Sequence, residues 1–101
     1  MNSFDIIYTG RRTNFVVKYR TQKYLRKNSF VLRNNVFTSN NLSFAVDLRK
    51  NFIHFTIADF NPVVKNLIEE YLISVFSGIN FSLHNFNFSQ IDLKNLKHIK
   101  L

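Results

Sequence analysis

Residues 61–78 read NPVVKNLIEEYLISVFSG, and they carry the signals of one amphipathic helix from end to end. The side chain of Asn61 can cap the first turn, and Pro62 suits the first helical position because its fixed φ is helical. Gly78 stands where a left-handed residue ends a helix. The apolar residues of one face are Val64, Leu67, Ile68, Tyr71, Leu72, Val75 and Phe76. We therefore predict a helix over Asn61–Gly78 that lies flat on a sheet.

Strand patterns flank this helix on both sides. Apolar residues alternate at Leu42, Phe44, Val46 and Leu48, then at Ile53, Phe55 and Ile57, and then at Ile79, Phe81 and Leu83. Residues 49–51 between the first two strands are predicted to form a hairpin turn. The predicted fold class is α+β: a mixed or antiparallel sheet contains a strand–helix–strand unit, and its helix covers one face. The other face needs a second helix, a partner or the N-terminal basic segment.

The first forty residues show shorter patterns. They predict a strand over Phe4–Thr9, a turn at residues 10–12, a strand in which Phe15, Val17 and Tyr19 share one face, a helical turn over Thr21–Asn28 and a strand over Phe30–Phe37. Residues 38–41 form a polar break. We predict one domain, with a basic N-terminal segment of short strands over residues 1–41 and an α+β core with a basic tail over 42–101. The tail, residues 89–101, has near-helical spacing.

Charge is distributed unequally along the chain. The net charge of the 101 residues is +8, and residues 1–50 hold ten Lys and Arg against two Asp. Residues 51–101 hold four Lys against two Asp and two Glu, so the second half is neutral. An excess confined to one half indicates a polyanionic partner.

The stretch Arg11–Arg33 carries eight cations and no acid, which favours contact with RNA phosphates over a passive solvated surface. The predicted RNA-binding residues are Arg11, Arg12, Lys18, Arg20, Lys23, Arg26, Lys27 and Arg33, followed by Lys94, Lys97 and Lys100 in the tail. Four aromatic residues lie among the first group: Phe15, Tyr19, Tyr24 and Phe30. Their rings could stack on unpaired bases, but the alternation favours their burial in the core.

Catalytic and metal-binding patterns are weak. The sequence has no Cys, and His54, His84 and His98 lack the short spacing of metal ligands. Glu69 and Glu70 are adjacent on the predicted helix and therefore diverge. We predict no enzymatic activity, cofactor, metal or small-molecule substrate. No apolar run is long enough to predict a membrane span.

Composition indicates an origin in an AT-rich genome. Asn, Phe, Ile and Lys are abundant, whereas the chain has two Ala, two Gly and one Pro. The abundant residues have A- and T-rich codons. Small basic proteins encoded in organelles share this bias, and so do proteins of AT-rich parasites, symbionts and phages. Among these origins, the predicted location is the mitochondrion.

The segment from Ile53 to Ser89 resembles the small-subunit ribosomal protein ten family. The resemblance lies in the strand IHFTIAD ending at Asp59, the amphipathic helix, Gly78, and the post-helix strand GINFS over residues 78–82. It implies a ribosomal subunit protein that lies against folded RNA and neighbouring ribosomal proteins.

Together these features predict a structural constituent of the mitochondrial small ribosomal subunit that binds ribosomal RNA through its basic N-terminal segment. The alternative is a non-catalytic accessory subunit of a mitochondrial membrane or multi-protein complex, in which the basic segment contacts lipid headgroups or an acidic neighbour. A DNA-binding protein of a phage or plasmid is a third possibility.

Overall fold

The computed structural model of the chain describes residues 2–39, 42–87 and 99–100. In chain order the elements are β1 (Asn2–Ile7), α1 (Arg11–Lys27), β2 (Val31–Arg33), β3 (Val36–Ser39), β4 (Leu42–Arg49), β5 (Phe52–Ile57), α2 (Pro62–Phe76), β6 (Phe81–His84) and β7 (Ile99–Lys100). The described strands form one sheet in the order β2-β3-β4-β5-β1-β6-β7.

Strand β1 lies inside the sheet between β5 and β6 and is antiparallel to both. Strands β5 and β6 are therefore parallel to each other and joined through α2, with β1 inserted between them. Strands β1 and β4 flank β5 in the same way, and α1 with the β2–β3 hairpin lies in their connection. This is the split β-α-β arrangement, and it confirms the predicted α+β fold with a strand–helix–strand unit.

Helix α2 follows the sequence prediction closely. The Asn61 side chain accepts a hydrogen bond from the Val64 backbone N–H at 2.9 Å, and Pro62 begins the helix. The helix ends at Phe76, and Gly78 has a φ of 77° just beyond it. All seven residues predicted for its apolar face are buried.

Helix α1 corrects the prediction for residues 10–28. The sequence indicated a turn, a strand and a short helical turn, whereas the structure has a single helix over Arg11–Lys27. The buried residues of this helix are Val17, Thr21 and Leu25, which recur every four residues. Alternating aromatic and β-branched residues between positions 15 and 19 imitate a strand. The helix forms instead because Val17, Thr21 and Leu25 all pack against the rest of the chain from one side of it.

The segment predicted as one strand over Phe30–Phe37 is a hairpin of β2 and β3. Its turn is made by Asn34 and Asn35, whose φ values are 51° and 68°. Asn tolerates this left-handed region, and two such residues in succession make the tight turn that suits the twist of paired strands. Residues 38 and 39, predicted as part of a polar break, belong to β3; residues 40–41 lie outside the described chain.

The predicted hairpin over residues 42–57 is present as β4 and β5. Asn51 in the connecting turn has a φ of 61°. Phe44 pairs with Ile57, and the register continues to Arg49 opposite Phe52. Most of the predicted tail, residues 89–98 and 101, lies outside the described residues. Residues 99–100 are in β7, parallel to β6, so at this point near-helical spacing is the wrong interpretation.

Both helices lie on the same face of the sheet. One buried cluster joins Val17 and Leu25 of α1, Ile68 of α2, and Phe4 and Phe55 of the sheet. The basic segment therefore does not cover the second face of the sheet, as the sequence had allowed, but packs beside α2. Among the described residues, that second face is lined by partly exposed side chains.

Candidate nucleic-acid interface

One side of α1 faces away from the core. We call this side the outward surface of α1 and define it by seven exposed residues. These are Arg11, Arg12, Phe15, Tyr19, Lys23, Arg26 and Lys27. Five of them are cations, and α1 contains no acidic residue. Five positive charges thus lie along one side of one helix.

These cations have no acidic partners within the described chain. The ion pairs of Lys and Arg in the described chain lie elsewhere: Arg49 pairs with Asp47, and Lys65 pairs with Glu69. Because no carboxylate neutralises the outward surface of α1, its charges are available to an external anion.

Helix α1 is fixed to the rest of the molecule near its start. The Asn14 side-chain oxygen accepts hydrogen bonds from the Tyr8 hydroxyl and from the Asn51 backbone N–H, both at 3.0 Å. Asn51 also donates from its side chain to the Gly10 carbonyl at 3.1 Å. These contacts hold the first turn of α1 against the β4–β5 turn.

The middle of α1 is fixed to α2 by two further contacts. The hydroxyl groups of Thr21 and Tyr71 are hydrogen-bonded at 2.8 Å in the core. Arg20 donates to the backbone carbonyls of Val75 and Ser77, both at 3.1 Å, at the C-terminal end of α2. Positive charge is favoured at this end of a helix, where carbonyls lack intrahelical partners. Arg20, a predicted RNA contact, therefore has a structural role.

Lys18 lies beside an open cleft of about 240 Å³ rather than on the outward surface. The cleft is lined by Lys18, Gln22, Leu32, Asn35, Leu48, Arg49 and Lys50. It lies between α1, the β2–β3 hairpin and the β4–β5 turn. Lys18 of α1 and Lys50 of the β4–β5 turn come from segments far apart in the sequence, whereas Arg49 is paired with Asp47. Two cations without an acidic partner and amide side chains that can donate hydrogen bonds suit the cleft to an anionic group.

Sequence reasoning missed Arg49 and Lys50 as candidate site residues. They lie beyond the basic stretch Arg11–Arg33, in a segment interpreted as a hairpin turn. The tertiary packing of α1 against that turn places Lys50 in the lining of the same cleft as Lys18. The local signal available was two adjacent cations at the tip of a predicted hairpin.

The remaining predicted residues are separated from α1 or from each other. Arg33 is exposed on β2, at one edge of the sheet, and Lys100 belongs to β7, at the opposite edge. Lys94 and Lys97 lie outside the described residues. The structure thus brings together the α1 cations but does not join Lys100 to them.

The prediction that the four aromatic rings of the basic segment are buried is wrong for two of them. Phe15 is 74% exposed and Tyr19 is 62% exposed. Burial is confirmed for Phe30, which is 3% exposed, whereas Tyr24 packs against the core with its ring 5.9 Å from that of Tyr71. Phe15 and Tyr19 face away because the buried side of α1 is occupied by Val17, Thr21 and Leu25.

The second face of the sheet, opposite the two helices, carries a row of titratable residues. Strand register places Asp47, His54, Asp5 and His84 in one row across four adjacent strands. His54 Nδ1 lies 2.6 Å from Asp5 Oδ1, and His84 Nε2 lies 3.3 Å from the Ser82 hydroxyl. Within the described ranges, no three of these side-chain types are placed to hold a metal ion.

In the described part of the chain, neither helix has the length and apolar character needed to cross a membrane. Comparison with known proteins finds no matching family model, no matching curated protein and no matching solved structure. The resemblance to the small-subunit ribosomal protein ten family therefore stays a prediction.

Proposed function

We propose that this protein is a structural RNA-binding protein that contacts ribosomal RNA through the outward surface of α1. The observation that carries the proposal is the set of five exposed, unpaired cations along this one helix. A cation that neutralises a phosphate releases a condensed counterion, and this supplies binding free energy that falls as salt rises. A helix held in place by Asn14, Arg20 and Thr21 presents these charges on a backbone that is already ordered before binding.

The proposal narrows the set of residues expected to touch RNA. Arg11, Arg12, Lys23, Arg26 and Lys27 are exposed and are the principal contacts. Lys18 and Lys50 are secondary contacts through the cleft, and Arg20 is a positioning residue. The proposal also includes Lys94, Lys97 and Lys100 of the tail as RNA contacts, and only their positive charge supports this.

We assign the RNA to a ribosome, and specifically to the mitochondrial small subunit, on two grounds. The composition is typical of an organelle-encoded protein, and the segment from Ile53 to Ser89 resembles the small-subunit ribosomal protein ten family. Neighbouring ribosomal proteins would be the second class of partner. The proposal includes no catalytic step.

One observation supports contact with a neighbouring protein, which the alternative of an accessory subunit also requires. Ile7 and Phe52 are opposite each other on the uncovered face of the sheet, and each is 37% exposed. A protein neighbour could bury this pair, which supports protein contact in either assembly.

Nuclease treatment of the native particle tests the proposed function. We expect the protein to co-sediment with the small ribosomal subunit and to be released as nuclease degrades the RNA. A protein that stays in a large complex after complete RNA digestion would contradict the proposal and support the accessory-subunit alternative.

A further inference from the structure

We propose that Phe15 and Tyr19 form a stacking platform for unpaired bases, so that the RNA bound by α1 is single-stranded or looped at the point of contact. This inference rests on the proposed function and adds the class of RNA to it. The two residues are four positions apart, which places them one above the other on the same side of a helix. Their exposed fractions are 74% and 62%.

The folded core does not account for these two rings. A buried aromatic side chain stabilises a fold by about 1.5–3 kcal/mol relative to an exposed one. Neither ring joins the described core cluster, whereas Tyr24 on the same helix packs against it. Both rings are therefore exposed within one helical turn of each other, and apolar side chains that lie together on the surface are more informative of binding than single ones.

Cations surround the pair at both ends. Arg12 is three residues before Phe15, and Lys23 is four residues after Tyr19, so each lies one helical turn from a ring. Proteins that bind single-stranded nucleic acid combine positive charge along the backbone with aromatic rings on which successive bases stack. A paired RNA helix offers phosphates but keeps its bases inside the stack, where these rings have no access.

A lipid surface fits the same residues less well. A helix that binds in a membrane interface needs a free apolar face opposite its cationic face. On α1 that face is buried, because Val17, Thr21 and Leu25 pack in the core. What remains outside is two rings placed among five cations, which favours a ligand with alternating anionic and aromatic groups.

The test compares the full-length protein with a Phe15→Ala/Tyr19→Ala variant on three RNA probes of equal length. The probes are a single strand, a single strand whose bases have been removed, and a paired helix. We expect the variant to lose at least about fivefold in affinity for the base-bearing single strand, since stacking contributes about 1–3 kcal/mol per base. We expect less than about a twofold change on the other two probes, which offer phosphates without accessible bases.

A Val63→Ala/Ile73→Ala variant is the matched control. Both residues are exposed and apolar, at 60% and 53%, but lie on α2. This control should bind all three probes like the unaltered protein. Unfolding curves that superimpose for both variants and the unaltered protein would show that the fold is intact.

The outcomes separate this inference from the proposed function. An equal loss on all three probes, or no loss on the base-bearing strand, overturns the stacking platform while salt-dependent RNA binding by the unaltered protein still supports the proposed function. Failure of the unaltered protein to bind any RNA probe overturns both. Binding to phosphatidylserine vesicles that requires both rings, with RNA binding unaffected by their loss, overturns the inference in favour of a membrane surface.

Discussion

Arg20 and Lys23 are one turn apart on α1, yet their surroundings differ. Arg20 is half-buried and donates to the Val75 and Ser77 carbonyls, whereas Lys23 is exposed on the outward surface. A hydrogen bond from a charged donor stabilises a fold by about 1.5–3 kcal/mol when it is shielded, and by less when it is partly exposed. The same positive charge therefore contributes to stability at one position and to ligand binding at the other.

This difference leads to a prediction about Arg20. The Arg20→Ala variant should lower the free energy of unfolding by about 1–2 kcal/mol, because two carbonyls at the end of α2 lose their donor. Denaturant titration measures the change, and Lys23→Ala is the control, with an expected change below about 0.5 kcal/mol. Equal stability of the two variants would show that the Arg20 contacts do not hold the helices together.

The sequence does not show which cations have a structural role and which are available to a ligand. Within Arg11–Arg33 each Lys or Arg has the same local signal, and the carbonyl partners of Arg20 lie more than fifty residues away. The aromatic residues present the same difficulty. Phe15 and Phe30 both occur among cations, and their exposure of 74% and 3% is decided by the side of the chain that packs on the sheet.

Helix α2 shows which element could be predicted and why. Its cap at Asn61, its first residue Pro62 and the left-handed Gly78 that follows its C-terminus are all local signals, and the structure confirms each of them. Helix α1 lacks such signals at its start. Gly10 stands at its N-terminal boundary without a side-chain hydrogen bond, and its first turn has no acidic residue. Contacts with α2 stabilise α1, and contacts between distant segments are not visible in a local pattern.

The contact between the two helices can be tested through Thr21 and Tyr71. Changing either hydroxyl alone, as Thr21→Val or Tyr71→Phe, should lower the free energy of unfolding by about 1–3 kcal/mol, because the other hydroxyl stays buried without its partner. The double variant should lose less than the sum of the two single variants, by at least about 0.5 kcal/mol. Strict additivity in a double-mutant cycle would mean that the 2.8 Å contact contributes no coupling.

At the scale of the whole molecule, the positive charge of the first half and the packed core of the second half belong to one structure. Strand β1 pairs with β5 and β6, so the N-terminal half contributes an interior strand as well as the cationic helix. The charge asymmetry is present in the sequence itself, and the class of fold could be predicted from it. The sequence did not predict that α1 and α2 share one face, since that depends on which strands become neighbours.

Three tyrosines that pack in the core or against it give the whole molecule a predicted response to alkaline pH. Burial raises the pKa of Tyr8 to about 12, and burial also raises the pKa of Tyr24 and of Tyr71. In the unfolded chain these phenols ionise near pH 10, while the folded protein keeps them neutral. Above about pH 10 the unfolded state therefore binds fewer protons, and stability falls as pH rises towards the raised pKa values.

Denaturant unfolding curves recorded from neutral pH to about pH 11 measure this response. The Tyr71→Phe variant is the control, because deprotonation of lysines affects it equally while one buried phenol is absent. Its stability should decline less steeply above about pH 10 than that of the unaltered protein. Parallel declines would contradict a role for Tyr71 in alkaline unfolding.

The salt dependence of RNA binding tests the central claim most directly. Affinity for structured RNA is measured at several salt concentrations for the full-length protein and for an Arg11→Ala/Arg12→Ala/Arg26→Ala/Lys27→Ala variant. If these four cations each neutralise a phosphate, the variant binds more weakly, and the slope of log affinity against log salt is shallower by about 3. Lys65→Ala, which removes a cation paired with Glu69 on α2, should leave the slope unchanged. Equal affinity and equal slope for the fourfold variant and the unaltered protein would contradict RNA binding by α1.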